Sequence, residues 1–145
     1  MNKETIAQHI YNDSNDQAIK YIQSISDEET LFVYTYNYNW DNGFEVPKAI
    51  MANKNCTLSV ALLLFRLADG LSFLQDKESV KDLPDWESFI TSLYNQILSG
   101  EFLPGKASFD PNLSKVQMYK LQKILEPEES LFITAINGED YCIDV

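Results

Sequence analysis

Ser26-Asp27-Glu28-Glu29-Thr30-Leu31-Phe32-Val33-Tyr34-Thr35-Tyr36-Asn37-Tyr38-Asn39-Trp40 is the stretch on which the fold class turns, because it supports two patterns at once. Phe32, Tyr34, Tyr36, Tyr38 and Trp40 alternate at the period of a strand, whereas Leu31, Tyr34, Thr35 and Tyr38 fit one face of a helix. Aromatic enrichment and the Asn42-Gly43 pair that follows favour a strand entering a hairpin. Ser26 and Glu29 favour a helix, since a hydroxyl and a carboxylate at this spacing satisfy orphan amides at a helix start. We adopt the helical reading, and the chain is then mainly α.

On the N-terminal side, Ile6, His9 and Ile10, then Ala18, Tyr21, Ile22 and Ile25, mark two short amphipathic helices separated by the polar cluster from Asn12 to Asn15. On the other side, Trp40-Asp41-Asn42-Gly43 is a break, and Pro47 suits the first turn of a short helix ending near Asn53. Asn55 or Thr57 can cap the next helix, Leu58 to Ala68, which is apolar on nearly every side and so belongs in the core, with Gly70 marking its end. Lys77 to Asp82 reads as a loop or a frayed helix end. Pro84 opens a helix whose stripe of Trp86, Phe89, Ile90, Leu93, Tyr94 and Ile97 ends at Gly100.

A loop with Pro104 and Gly105 leads to Asp110-Pro111 and a last helix. Val116, Tyr119, Leu121, Ile124 and Leu125 are expected on or near its buried face, and Pro127 stops it. Leu131 to Ile136 and Tyr141 to Val145 flank Asn137-Gly138, a strong local hairpin signal. The expected architecture is a single domain over residues 1–145, an irregular multi-helix array or bundle with a small C-terminal β-hairpin.

The chain of 145 residues is long enough for its own core, and its hydrophobic content of 45% argues against disorder. The densest apolar run, Val60 to Phe65, is cut by Arg66 and Asp69, so no membrane span is expected. The first residues lack the basic and apolar pattern of a secretory signal, and a cytoplasmic location is the expectation. Cys56 and Cys142 then read as reduced, buried thiols. The net charge of -11 opposes direct contact with DNA or RNA, whose phosphates are neutralised by Lys and Arg. The same charge suits either solubility or attraction to a basic partner.

Catalytic and metal motifs fail one by one. His9, the one histidine, sits on the apolar side of an early helix with no acid-base partner in view, so a packing or surface role is expected. One histidine and two distant cysteines are too few for structural zinc. Asn37, Asn39 and Asp41 resemble the start of a calcium loop, but Asn42 and Lys48 stand where glycine and the bidentate glutamate belong. No phosphate-binding glycine loop, dinucleotide turn or serine nucleophile elbow is present. No cofactor is expected. Arg66, the sole arginine, is expected to pair with Asp69 or a more distant acid in a structural role.

Two stretches gather the negative charge without any Lys or Arg: Tyr21 to Pro47, with Asp27, Glu28, Glu29, Asp41 and Glu45, and the last twenty residues, with Glu126, Glu128, Glu129, Glu139, Asp140 and Asp144. The neighbouring aromatics read either as core or as interface anchors. The candidate partner-binding residues are Tyr36, Tyr38, Asp41, Glu45, Glu128, Glu129, Glu139 and Asp140.

The run Asn37-Tyr38-Asn39-Trp40-Asp41-Asn42-Gly43-Phe44-Glu45-Val46-Pro47-Lys48-Ala49-Ile50, followed by Asn55-Cys56-Thr57-Leu58-Ser59-Val60-Ala61-Leu62 and Phe65, resembles the bacterial family DUF4274. The resemblance implies a small helical cytoplasmic protein with no catalytic residues to carry over. Some relatives are similar to immunity proteins of bacterial toxin systems. The leading expectation is therefore a protein-binding module that neutralises a cognate toxin, a basic nuclease, through acidic and aromatic contacts. The alternatives are a hydrolase with a carboxylate-lined cleft and a structural adaptor.

Overall fold

Side-chain caps set where four of the eight α-helices begin in the computed structural model, which describes residues 1–145. Asn2 accepts from the Thr5 amide at 3.1 Å and opens α1, Lys3–Asn12. Ser14 and Gln17 form a reciprocal capping box at the start of α2, Asn15–Ser24. The helical reading of the aromatic stretch is correct, since α3 runs Glu28–Asn37, but its cap is Asp27 rather than Ser26. Thr30 presents both its amide and its hydroxyl to the Asp27 carboxylate, at 2.9 and 2.8 Å, and so outcompetes the Ser26 and Glu29 box.

A short 3₁₀ turn, Trp40–Asn42, ends at Gly43, whose φ of 87° is the left-handed conformation expected of glycine there. Next come α4, Glu45–Ala52, α5, Leu58–Leu67, and α6, Gly70–Gln75. Gly70 does not end α5. Asp69 takes the left-handed turn with φ of 63°, and Gly70 opens α6 where a Cβ would lie 2.5 Å from the Phe65 carbonyl oxygen. The stretch after α6 is a 3₁₀ turn, Lys77–Val80, and α7 runs Pro84–Leu98 with proline in its first turn. A second capping box, Ser114 with Gln117, starts α8, Lys115–Ile124, and a 3₁₀ segment, Pro127–Ile133, follows.

Helix α5 is the centre of the core. Seven of its ten residues are buried, and it packs against α3 on one side and α7 on the other. Helix α4 closes the core against α2, and α1 lies on α3. Two aromatic groups fill the ends: Trp40, Phe44 and Phe89 at one, Phe65, Phe73, Tyr94 and Phe132 at the other. No helix is long and apolar enough to cross a membrane.

Three expectations for the C-terminal third are corrected. No β-strand forms, so the predicted hairpin is absent. Leu131, Phe132 and Ile133 complete the 3₁₀ segment, and the residues after Asn137-Gly138 pair with a distant loop instead of folding back. Phe109 and Ile136 exchange backbone hydrogen bonds at 3.0 and 2.8 Å, and Glu139 bonds to Ser108 and Lys106 at 2.8 Å. Gly138 serves that approach: a Cβ there would lie 2.3 Å from the Lys106 carbonyl oxygen.

Helix α8 is the second correction. Of its expected buried residues only Leu121 is enclosed, while Val116, Tyr119 and Ile124 are 62%, 59% and 53% exposed. Met118, Leu121 and Leu125 make the inward stripe, and the other apolar residues fall outside it. Third, the two cysteines are both free, as expected, but only Cys56 is buried; Cys142 is exposed.

Candidate functional site

Helix α3 carries an anchor at each end. At its start the Glu28 carboxylate accepts from the backbone amides of Lys106 and Ala107, at 2.7 and 3.1 Å, and from the Thr57 hydroxyl. Gly105 makes room for this, since a Cβ there would lie 2.1 Å from a Glu28 oxygen. At its end Asn37 donates to the Ile143 carbonyl at 2.7 Å and accepts from the Val145 amide at 3.2 Å. Between the anchors the Phe32 and Tyr141 rings meet edge to face at 6.0 Å. Residues 106 and 107 and the C-terminal tail are thus both bound to the helix decided by the opening stretch.

These walls enclose a cleft of about 670 Å³, open to solvent, between α3, α5 and the segments 108–112 and 135–142. Phe32, Leu63, Phe109 and Ile136 give it an apolar lining; Tyr36, Arg66, Asp110 and Asp140 supply the polar groups. The expected Arg66–Asp69 pair does not form. Asp69 instead accepts from the Ser72 hydroxyl at 2.8 Å, while Arg66 Nε donates to the Pro111 carbonyl at 3.1 Å. No carboxylate lies within ion-pairing distance of Arg66, and its terminal nitrogens have no hydrogen-bond partner in the protein.

The electrostatics of the cleft are those of crowded acids. Burial raises the Tyr36 phenol, and Asp144, Cys142 and Asp140 push it further. The Cys142 thiol is pushed up to about 11 by partial desolvation and by the nearby carboxylates of Asp140, Asp110 and Asp144. It stays protonated at neutral pH and is a poor nucleophile. Tyr141 rises to about 12 because its hydroxyl donates to Glu139, with burial and the nearby Glu29 and Glu28 adding to the effect. Carboxylates from both basic-free stretches therefore meet near Tyr141, and two from the C-terminal stretch lie near Tyr36.

The candidate residues read from the sequence separate into three places. Tyr36 and Asp140 line the cleft, and Glu139 stands beside it. Tyr38, Asp41 and Glu45 follow the C-terminus of α3 and lie outside the cleft lining. Tyr38 is buried, donates to the Gly43 carbonyl at 2.8 Å and is raised to about 12 by burial and Glu45, while Asp41 and Glu45 are exposed. Glu128 is exposed on the 3₁₀ segment, but Glu129 is buried and accepts from Tyr94 at 2.7 Å, Lys77 at 2.9 Å and the Glu126 amide at 2.9 Å. Burial pushes its carboxyl up, the donors from Lys77, Tyr94 and Glu126 pull it down, and the donors prevail. Tyr38 and Glu129 are thus used inside the fold and present no surface to a partner.

Other groups were not visible as site members from the sequence. Asp110 and Arg66 meet only through contacts between distant segments. His9 does have an acidic partner, contrary to expectation: its Nδ1 lies 2.7 Å from Asp13 Oδ2, and its ring stacks on Tyr21 at 3.7 Å. The spacing of four, from the last turn of α1 to its C-cap, carried that signal. No hydroxyl or thiol completes a nucleophilic set at His9. Trp40 Nε1 is the one buried side-chain donor with no partner, in contrast to Trp86 Nε1, which donates to the Ala68 carbonyl at 2.8 Å.

No curated protein and no solved structure matches this chain. One family model does, over residues 26–98, which is half of the chain and runs from the start of α3 to the end of α7. The chain therefore belongs to the family described as Domain of unknown function (DUF4274).

Proposed function

We propose that this protein is a binding module of the immunity type, which neutralises a basic toxin, a nuclease by preference, in the bacterial cytoplasm. The observation that carries the reading is the meeting of the two basic-free stretches along α3. Glu29 of one stretch and Glu139 of the other lie near Tyr141, and Asp140 and Asp144 lie near Tyr36. None of these acids is neutralised within the protein, because the three ion pairs are His9–Asp13, Lys77–Glu129 and Lys81–Glu78. An unneutralised acidic face with the half-buried Tyr36 ring among its acids suits steering and docking of a cationic protein.

The test begins with the reading frame next to the gene for this chain. Its expression alone should arrest bacterial growth, and co-expression of this chain should restore it. A toxic neighbour that this chain fails to silence would remove the immunity reading. The hydrolase alternative has one observation in its favour, that Asp110 and Asp140 line one cleft. Turnover of ester, phosphate or glycoside chromogens that Asp110→Asn or Asp140→Asn abolishes would favour that alternative.

A further inference from the structure

We infer that the cleft beside α5 binds an apolar group that ends in a carboxylate with an N–H on the adjoining carbon, as in a free apolar amino acid or the last residue of a peptide. The inference is independent of the toxin reading and rests on Arg66. A guanidinium carries five donors and no acceptor, so an arginine with a single protein partner has donors to spare. Here Nε is held by the Pro111 carbonyl at 3.1 Å, which fixes the plane of the group. The two terminal nitrogens have no partner, and only Trp40 Nε1 among side-chain polar atoms is both buried and unpaired, so the Arg66 nitrogens open to solvent. A planar pair of donors presented this way matches the two oxygens of a carboxylate.

The surroundings narrow the ligand further. Phe32, Leu63, Phe109 and Ile136 offer an apolar side chain a wall to lie on, and the volume of about 670 Å³ exceeds what one side chain fills, so the residue before it fits too. Asp110 and Asp140 line the same cleft. Two carboxylates against one guanidinium disfavour a phosphate, whose second charge they would repel, and favour a ligand that brings a donor beside its own carboxylate. An α-ammonium or an α-amide N–H is such a donor.

The experiment is calorimetric titration of the full chain with four probes: free leucine, N-acetyl-leucine, a hexapeptide ending in leucine with a free carboxylate, and the same hexapeptide as its C-terminal amide. At least one free-carboxylate probe should bind, and the amidated peptide should bind at least tenfold more weakly than the free peptide. Tight free leucine assigns an amino acid as the ligand; a preference for the hexapeptide assigns a chain terminus. Arg66→Gln should weaken the best probe tenfold or more, and Arg66→Lys should recover part of the loss as a point charge without the fork. Should Arg66→Gln fail to fold, the acid and amide peptides still decide the matter on the unaltered protein. Equal binding of acid and amide, no effect of Arg66→Gln in a folded variant, or no heat from any probe at millimolar concentration would overturn the inference.

Discussion

Helices α5 and α8 are each ten residues long and meet opposite fates: seven residues of α5 are buried and one of α8. In α5, Leu58-Ser59-Val60-Ala61-Leu62-Leu63-Leu64-Phe65 leaves hardly any face that could be turned to water, so its place in the core follows from composition. In α8 the apolar residues are spread around the helix, and Lys115, Lys120 and Lys123 accompany them. Lys123 lies over the Tyr119 ring at 4.2 Å, covering in part what the core does not. The difference teaches how the two parts of the chain are held. The family-matched helices are joined by apolar burial, whereas the C-terminal third adds polar anchors at Glu28, Asn37, Glu129 and Ser59 to the apolar contacts of Phe109, Phe132 and Tyr141.

The contrast can be broken first where it is strongest. Leu64→Ala in α5 should destabilise the protein by about 2–5 kcal/mol, the cost of a cavity at a fully enclosed site, measured by urea unfolding. A loss comparable to a surface substitution would mean that α5 is not the core. Glu129→Gln tests the polar anchoring and should cost about 1–3 kcal/mol, because Tyr94 and Lys77 lose a buried, ionised acceptor. It also has a pH signature. The folded carboxyl lies below its ordinary value of 4.5, so its stabilisation is complete above that pH and is lost as pH falls through the folded value. The Gln variant should lose less stability than the unaltered protein as pH drops through that window; parallel acid unfolding curves would contradict the anchor.

A smaller effect separates the two tryptophans. Trp86→Phe should cost about 1 kcal/mol more than Trp40→Phe, since it breaks the bond to the Ala68 carbonyl whereas the other removes a donor that had no partner. Equal losses would imply that packing alone decides both sites. The smallest effect is expected on the outer face of α8, where Val116→Ala should stay within about 0.5 kcal/mol.

What could be read in advance follows the same division. The helical fate of the aromatic stretch was legible because a capping sequence, Ser26 to Glu29, stood before it, although Asp27 takes the role assigned to Ser26. The α7 stripe and the enclosure of α5 were legible because local periodicity and composition suffice there. The C-terminal hairpin was misread because Asn137-Gly138 is a local signal, and the pairing that wins joins Ile136 to Phe109 across an intervening helix. In α8 the pattern showed apolar residues without saying which of them meet the body. The candidate site was legible as chemistry but not as a place. Tyr36 and Asp140 were named, yet Arg66 meets Pro111 across 45 positions, and Tyr38 and Glu129 turned inward to satisfy the fold.

The claim that the cleft side of α3 is the binding face is tested most directly by association kinetics with the toxic neighbour, compared for two charge reversals. The account predicts that Asp140→Lys with Asp144→Lys slows association at least tenfold and flattens its dependence on salt, while Asp41→Lys with Glu45→Lys, past the C-terminus of α3 and outside the cleft lining, changes it less. Equal slowing by both pairs, or an association rate indifferent to salt in the unaltered protein, would contradict it.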